Sequence, residues 1–145
     1  MRRRSDETMT EIAQILGKAG VLLFTLGLLI GFAMAKLRNP RLGLSAHLTA
    51  VQVGAMLIAL ALFWQYLGIP DGWATIIVLA VIVSSYVLTF GILLSGVFGA
   101  SQALPMAGAG HTASKSRETL VTFLVYGSSV VMALAYVAIC WFAFS

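Results

Sequence analysis

Four stretches of this chain are apolar for as long as a lipid bilayer is thick. They run from about Ala19 to Ala35, Ala46 to Leu67, Trp73 to Ala100 and Leu120 to Phe144. A helix rises ~1.5 Å per residue, so ~20 residues cross a ~30 Å hydrocarbon core. Composition points the same way: of 145 residues, 60% are hydrophobic and 10% charged. A soluble domain needs about 25% charged residues to wet its surface. The expectation is an all-α integral membrane protein, one four-span domain over 1–145, with spans near 12–36, 45–67, 73–100 and 119–143. The first block is short, but Thr8-Met-Thr-Glu11 is a capping-box pattern that predicts a helix starting near Met9. Asp6, Glu7 and Glu11 separate the Arg2–Arg4 cluster from the apolar run, so this segment reads as retained rather than as a cleavable signal.

The breaks are short. Asn39-Pro40 ends or restarts a helix, Gly68-Ile-Pro-Asp-Gly72 is a tight turn, and Ser101–Ser116 is the one extended loop. Short links predict an antiparallel four-helix bundle. The positive residues sit in tails and loops, where they anchor spans against headgroups, and no aromatic-interleaved basic patch accompanies them. Nucleic acid is therefore not an expected partner, whereas the lipid bilayer is. With four spans, Arg2, Arg3, Arg4 and Lys18 share one face and Lys36, Arg38, Arg41, Lys115 and Arg117 the other, a balance that sets no orientation. The single cysteine, Cys140, excludes an internal disulfide and a cysteine-based metal site.

Small residues recur at four-residue spacing: Gly27, Gly31 and Ala35 in the first span, and Gly91, Ser95 and Gly99 in the third. Such ridges let helix backbones approach in lipid, either within the bundle or between copies. No Asp, Glu, Lys or Arg lies deep in the second, third or fourth span. A proton-coupled exporter needs a membrane-embedded carboxylate, and a charge-selective channel needs charged rings, so both classes are disfavoured.

The polar groups that remain are neutral. In "LSAHLTAVQVG", Ser45 is a candidate N-cap, and His47 looks along Ala50, Val51 and Gly54 on one helical face. That strip suits a flat macrocycle or a neighbouring helix. Ser45, Thr49 and Gln52 form a separate polar face. His47 reads either as an interfacial histidine bonded to a headgroup or a loop carbonyl, or as a haem ligand through its neutral Nε2. His111 lies in the loop, so a haem at His47 would be five-coordinate with an open sixth position. Tyr86, among Ser84, Ser85 and Thr89, needs a hydroxyl partner at mid-depth, on another helix or on a substrate. In the fourth span Thr122, Tyr126, Ser129, Ala133, Tyr136 and Cys140 form a semi-polar stripe read as packing.

"NPRLGLSAHLTAVQVGAML" after a glycine-rich first span, and "LPMAGAGHTASKSRETLV" leading into the fourth, resemble the hydroxylaminobenzene mutases. The resemblance spans about Leu22 to Trp141 and is strongest at Asn39-Pro40-Arg41, Leu44–Leu48 and Gly108–His111. These mutases rearrange an aryl hydroxylamine to an aminophenol. They are similar to the styrene oxide isomerases, which open an aryl epoxide to an aldehyde. The resemblance implies a trimer with haem b between subunits and His47 as the iron ligand, beside Ala50 and Gly54. Ferric haem then serves as a Lewis acid toward a small aromatic substrate. It implies Tyr86 and Ser84 as catalytic positions and Gln52, Val53 and Leu88 as the substrate pocket. Here Val53 and Leu88 stand where relatives carry asparagines, and Ser84 lies near an aspartate of the isomerases. Those departures keep a second reading open, a non-catalytic haem-binding or structural membrane protein on the same scaffold. A bacterial inner membrane is the expected location.

Overall fold

The computed structural model describes the backbone of residues 2–145 and side chains from residue 10 onward. Four long helices carry the chain: α1 (Arg2–Ala33), α2 (Pro40–Phe63), α3 (Asp71–Phe98) and α5 (Lys115–Phe144). A single short turn of helix, α4 (Pro105–Gly108), interrupts the loop before α5. The stretches Thr10–Lys36, Pro40–Tyr66, Asp71–Phe98 and Lys115–Phe144 are each long and apolar enough to cross a membrane. No strand occurs among the described residues.

Two expected helix starts are corrected. Backbone helix already runs from Arg2, so Met9 lies inside α1, and the Thr8 side chain of the expected capping box lies outside the described residues. α2 begins at Pro40, not near Ser45. Its N-cap is Asn39, whose Oδ1 accepts from the amides of Arg41 and Leu42. Pro40 fits the first helical position because its missing N–H has no helical partner there. Ser45 is thus interior to the helix, and its hydroxyl donates to the Arg41 carbonyl one turn back.

The helices pack in sequence, α1 on α2, α2 on α3 and α3 on α5, with a lighter contact between α1 and α3. α3 is the central member: 44% of its apolar window is buried, against 22–28% for the other three. One apolar core gathers Leu16, Leu23, Leu57, Ile77 and Val81 among α1, α2 and α3, and Ala135 and Ile139 of α5 join it. A second core joins Ala46, Ile92, Val121 and Val125 beneath the loop. Large apolar side chains such as Phe32, Leu62, Ile76, Phe123 and Trp141 point outward, as expected where the solvent is lipid.

The α1–α2 seam is built from glycine. A Cβ on Gly20 would lie 2.8 Å from the Gly54 carbonyl oxygen, and one on Gly54 would lie 2.6 Å from the Phe24 amide nitrogen. A Cβ on Gly27 would reach within 2.9 Å of Ala50 and Val51. Without side chains the two backbones meet directly, which is how packing replaces the hydrophobic effect inside a bilayer. The first-span ridge therefore packs on α2, except that Ala35 falls in an exposed 3-10 turn. In α3, Gly91 meets Leu124 and Val125 of α5, while Gly99 takes a left-handed φ of 68° to cap the helix.

On α5 the packed face is Val121, Val125, Ser128, Ala135 and Ile139. The semi-polar stripe expected to pack is offset from it: Tyr126, Ala133 and Cys140 are exposed, and Ser129 bonds back to the Val125 carbonyl. The buried hydroxyls of Thr122 and Tyr136 have no partner among the described residues.

Candidate functional site

His47 sits about two turns into α2, and its half-buried ring lies against α1. Its Nδ1 is 2.7 Å from the Gly27 carbonyl oxygen. A carbonyl can only accept, so Nδ1 donates this bond. Ala50 and Gly54, one and two turns on, are buried in the same seam. They hold the two helices together and do not line a vacant strip along which a macrocycle could lie. Gln52 is exposed, Val53 is half-buried against the first core, and Leu88 is half-buried against the second.

The α3 residues face elsewhere. Tyr86 donates its hydroxyl to the Ala19 carbonyl of α1 at 2.8 Å, so its mid-depth partner is a neighbouring helix. Ser84 is 2% exposed and donates to the Val81 carbonyl of its own helix. Ser85, Thr89 and Ser95 bond back into α3 in the same way, which satisfies each hydroxyl where no water can reach it. Ser84 also lines an apolar groove of about 270 Å³ between α3 and α5, with Val83, Val87, Phe123, Leu124, Gly127, Ser128 and Val131. Within one chain, His47 and Ser84 thus face different neighbours.

A polar cluster closes the end of the molecule nearest the start of α2. Asn39 is 1% exposed. Its amide N–H donates to the Gly96 carbonyl, and its Nδ2 donates to the Ala107 carbonyl. Because Oδ1 caps α2, Nδ2 is also the group facing His111 Nδ1, at 3.3 Å, so that nitrogen accepts. Arg38 donates to the carbonyls of Phe98 and Thr112, and Arg117 lies over the Phe98 ring at 4.8 Å. The Glu118 carboxylate accepts from the amides of Ser101, Gln102 and Ala113. This cluster fixes the loop over the N-terminus of α2 and so holds the helix that carries His47. Sequence reasoning marked Asn39-Pro40 as a break and missed it as the hub; Asn before Pro, then an apolar run, is the signal of a capped start.

Among the described residues no three His, Cys, Asp or Glu side chains gather to hold a bare metal ion. The candidate centre is one imidazole on a glycine-lined seam. The sequence model of the styrene oxide isomerase family matches residues 12–144. The chain belongs to that family. It is 33% identical over 142 residues to hydroxylaminobenzene mutase HabB of Ectopseudomonas oleovorans, covering 97% of this chain and 87% of that one. It is 35% identical over 109 residues to hydroxylaminobenzene mutase HabA of the same organism, covering 74% of this chain and 81% of that one. The resemblance read from residues 22–141 is therefore shown, and the matched family and the two mutase relatives support an isomerase.

Proposed function

We propose that this chain is a membrane-embedded isomerase that rearranges a small aryl substrate with haem b held by His47. The substrate class is an aryl hydroxylamine going to an aminophenol, or an aryl epoxide going to an aldehyde. The relatives' names support that class, since both changes are intramolecular and need no net oxidant. The observation that carries the cofactor is the His47 ring itself. One nitrogen is anchored to a backbone carbonyl and the other carries no bond among the described residues, the arrangement in which imidazole ligates a metal. The donor chemistry therefore fits a histidine that would hold haem iron. When bound, ferric haem supplies a Lewis acid toward the N–O or C–O oxygen of the substrate.

The chain's own groups position and exclude. The Gly27 carbonyl orients the ligand, and Tyr86 braces α3 on α1 through the Ala19 carbonyl. Val53 and Leu88 present apolar surface where an amide would offer a hydrogen bond, so orientation of substrate there rests on shape. An antiparallel arrangement accounts for the pairing of Gly20 with Gly54, Gly27 with Ala50 and Gly31 with His47, in opposite order along the two helices. Because His47 and Ser84 face different neighbours, a trimer in which adjoining copies complete the site suits this chain. A bacterial inner membrane is the proposed location, in keeping with the source of the relatives.

The test is the absorption spectrum of protein purified from haem-replete cells. A Soret band is expected, and His47→Ala is expected to abolish it. Colourless wild-type protein would overturn the cofactor. Haem-loaded protein incubated with phenylhydroxylamine and with styrene oxide should form 2-aminophenol or phenylacetaldehyde. Inertness toward both, with haem present, favours a haem-binding protein without this catalysis.

A further inference from the structure

The glycines of the α1–α2 seam are not equivalent. A Cβ on Gly20 or Gly27 would strike the backbone of α2 at 2.8 to 2.9 Å, and one on Gly54 would strike the backbone of α1 at 2.6 Å. The three atoms nearest a Cβ on Gly31 all belong to the His47 ring: Nδ1 at 2.9 Å, Cε1 at 3.1 Å and Cγ at 3.6 Å. The same Nδ1 donates to the Gly27 carbonyl one turn earlier on α1. In a neutral imidazole, a hydrogen on Nδ1 leaves the lone pair on Nε2. A methyl group at Gly31 would displace the ring from the helix surface and take Nδ1 away from its acceptor. The tautomer would then be unspecified, and with it the nitrogen that faces a ligand.

We propose that Gly31 is a positioning residue for His47: its missing side chain seats the imidazole against α1, so that Gly27 fixes the Nδ1–H tautomer and Nε2 is presented for ligation. Its functional consequence rests on His47 being the haem ligand. The geometry itself does not, because it is complete in the haem-free chain. Gly31 thereby differs from the seam glycines that serve the fold, since what it spares is a side chain able to move.

The experiment uses the full chain labelled with 15N-histidine, haem-free in lipid nanodiscs, at an alkaline pH at which the nitrogen shifts report a neutral ring. Nitrogen shifts distinguish the two tautomers, and the His47 signals are assigned by their loss in His47→Gln. Wild type is expected to show a protonated Nδ1 and a bare Nε2. Gly31→Ala is expected to keep its helix content and size but to show the other tautomer or a mixture. Gly17→Ala serves as the control on the same helix, since its Cβ would meet Ala61 at an ordinary 3.7 Å; it should match wild type. Haem titration should then find Gly31→Ala weaker by about 10- to 100-fold, the usual cost of a lost supporting contact. A protonated Nε2 in wild type overturns the proposal, as does an unchanged tautomer in Gly31→Ala. Loss of fold in Gly31→Ala also overturns it, because the closest contact of the added methyl is with a ring able to yield. The wild-type Soret band is read separately. Its absence removes the haem reading even where the tautomers behave as expected, and its presence with an unchanged tautomer removes only the role of Gly31.

Discussion

The α1–α2 seam and the α3–α5 contact join helices of similar length by opposite means. Along the seam, backbone lies on backbone, and Gly20, Gly27 and Gly54 leave no space for a methyl group. Between α3 and α5, side chains keep the helices apart: Gly91 faces Leu124 and Val125, and a groove of about 270 Å³ opens farther along. Tight packing transmits the position of one helix to the other, whereas a grooved contact has room to accommodate change. His47 sits on the rigid side. Ser84 sits on the yielding side, with its hydroxyl already committed to the Val81 carbonyl. The proposed ligand centre needs its first partner fixed closely, and the seam offers that.

The hardest test of this contrast is Gly54→Ala. The new Cβ would sit 2.6 Å from the Phe24 amide nitrogen and 2.9 Å from the Gly20 carbonyl, so a helix must move rather than a side chain. Overpacking of this kind costs about 3 kcal/mol or more. Loss of helical protein from detergent, or a fall in thermal midpoint larger than for any other alanine on these helices, is the expected result. A variant as stable as wild type would show that the seam is looser than its distances imply.

Gly91→Ala should fall in the middle. Its Cβ would meet the Leu124 Cβ at 3.1 Å and a Val125 methyl at 3.2 Å, with backbone no nearer than 3.5 Å. Side chains can give by a few tenths of an ångström, so a destabilisation of about 1 kcal/mol is expected, at the low end of overpacking costs. Thermal unfolding in one detergent, alongside Gly54→Ala, gives the ranking. If Gly91→Ala proves the worse of the two, the assignment of rigid and yielding contacts is reversed.

The difference between the two contacts was partly visible in the sequence. Four helices follow from four apolar blocks, because in a bilayer length and hydropathy set the spans. The first-span ridge marked where backbones approach, but not which helix it meets, since spacing fixes a face and not its neighbour. For the same reason Ala50 and Gly54 read as a strip open to a ligand, while α1 covers them. Ser84 and Tyr86 read as candidates for chemistry, and a sequence does not show that one hydroxyl bonds back to its own helix and the other to the Ala19 carbonyl of α1. Asn39 was legible as a break, but its hydrogen bonds to Gly96 and Ala107 join residues far apart in the chain. His47 was legible as a residue type in an apolar setting. The carbonyl that holds it, twenty positions earlier, was not.

The smallest effect is expected at Gly127, and it bears most closely on the groove. Nothing lies within 4 Å of the place a Cβ would occupy, although Gly127 lines the space between α3 and α5. Alanine there adds a methyl to open volume and removes a glycine from a helix interior, a change worth up to about 1 kcal/mol in favour of the helix. Gly127→Ala should therefore unfold at or slightly above the wild-type temperature. A loss approaching that of Gly91→Ala would mean that another surface already fills the groove in the membrane. In that case the α3–α5 contact is no less packed than the seam, only packed by something outside the chain.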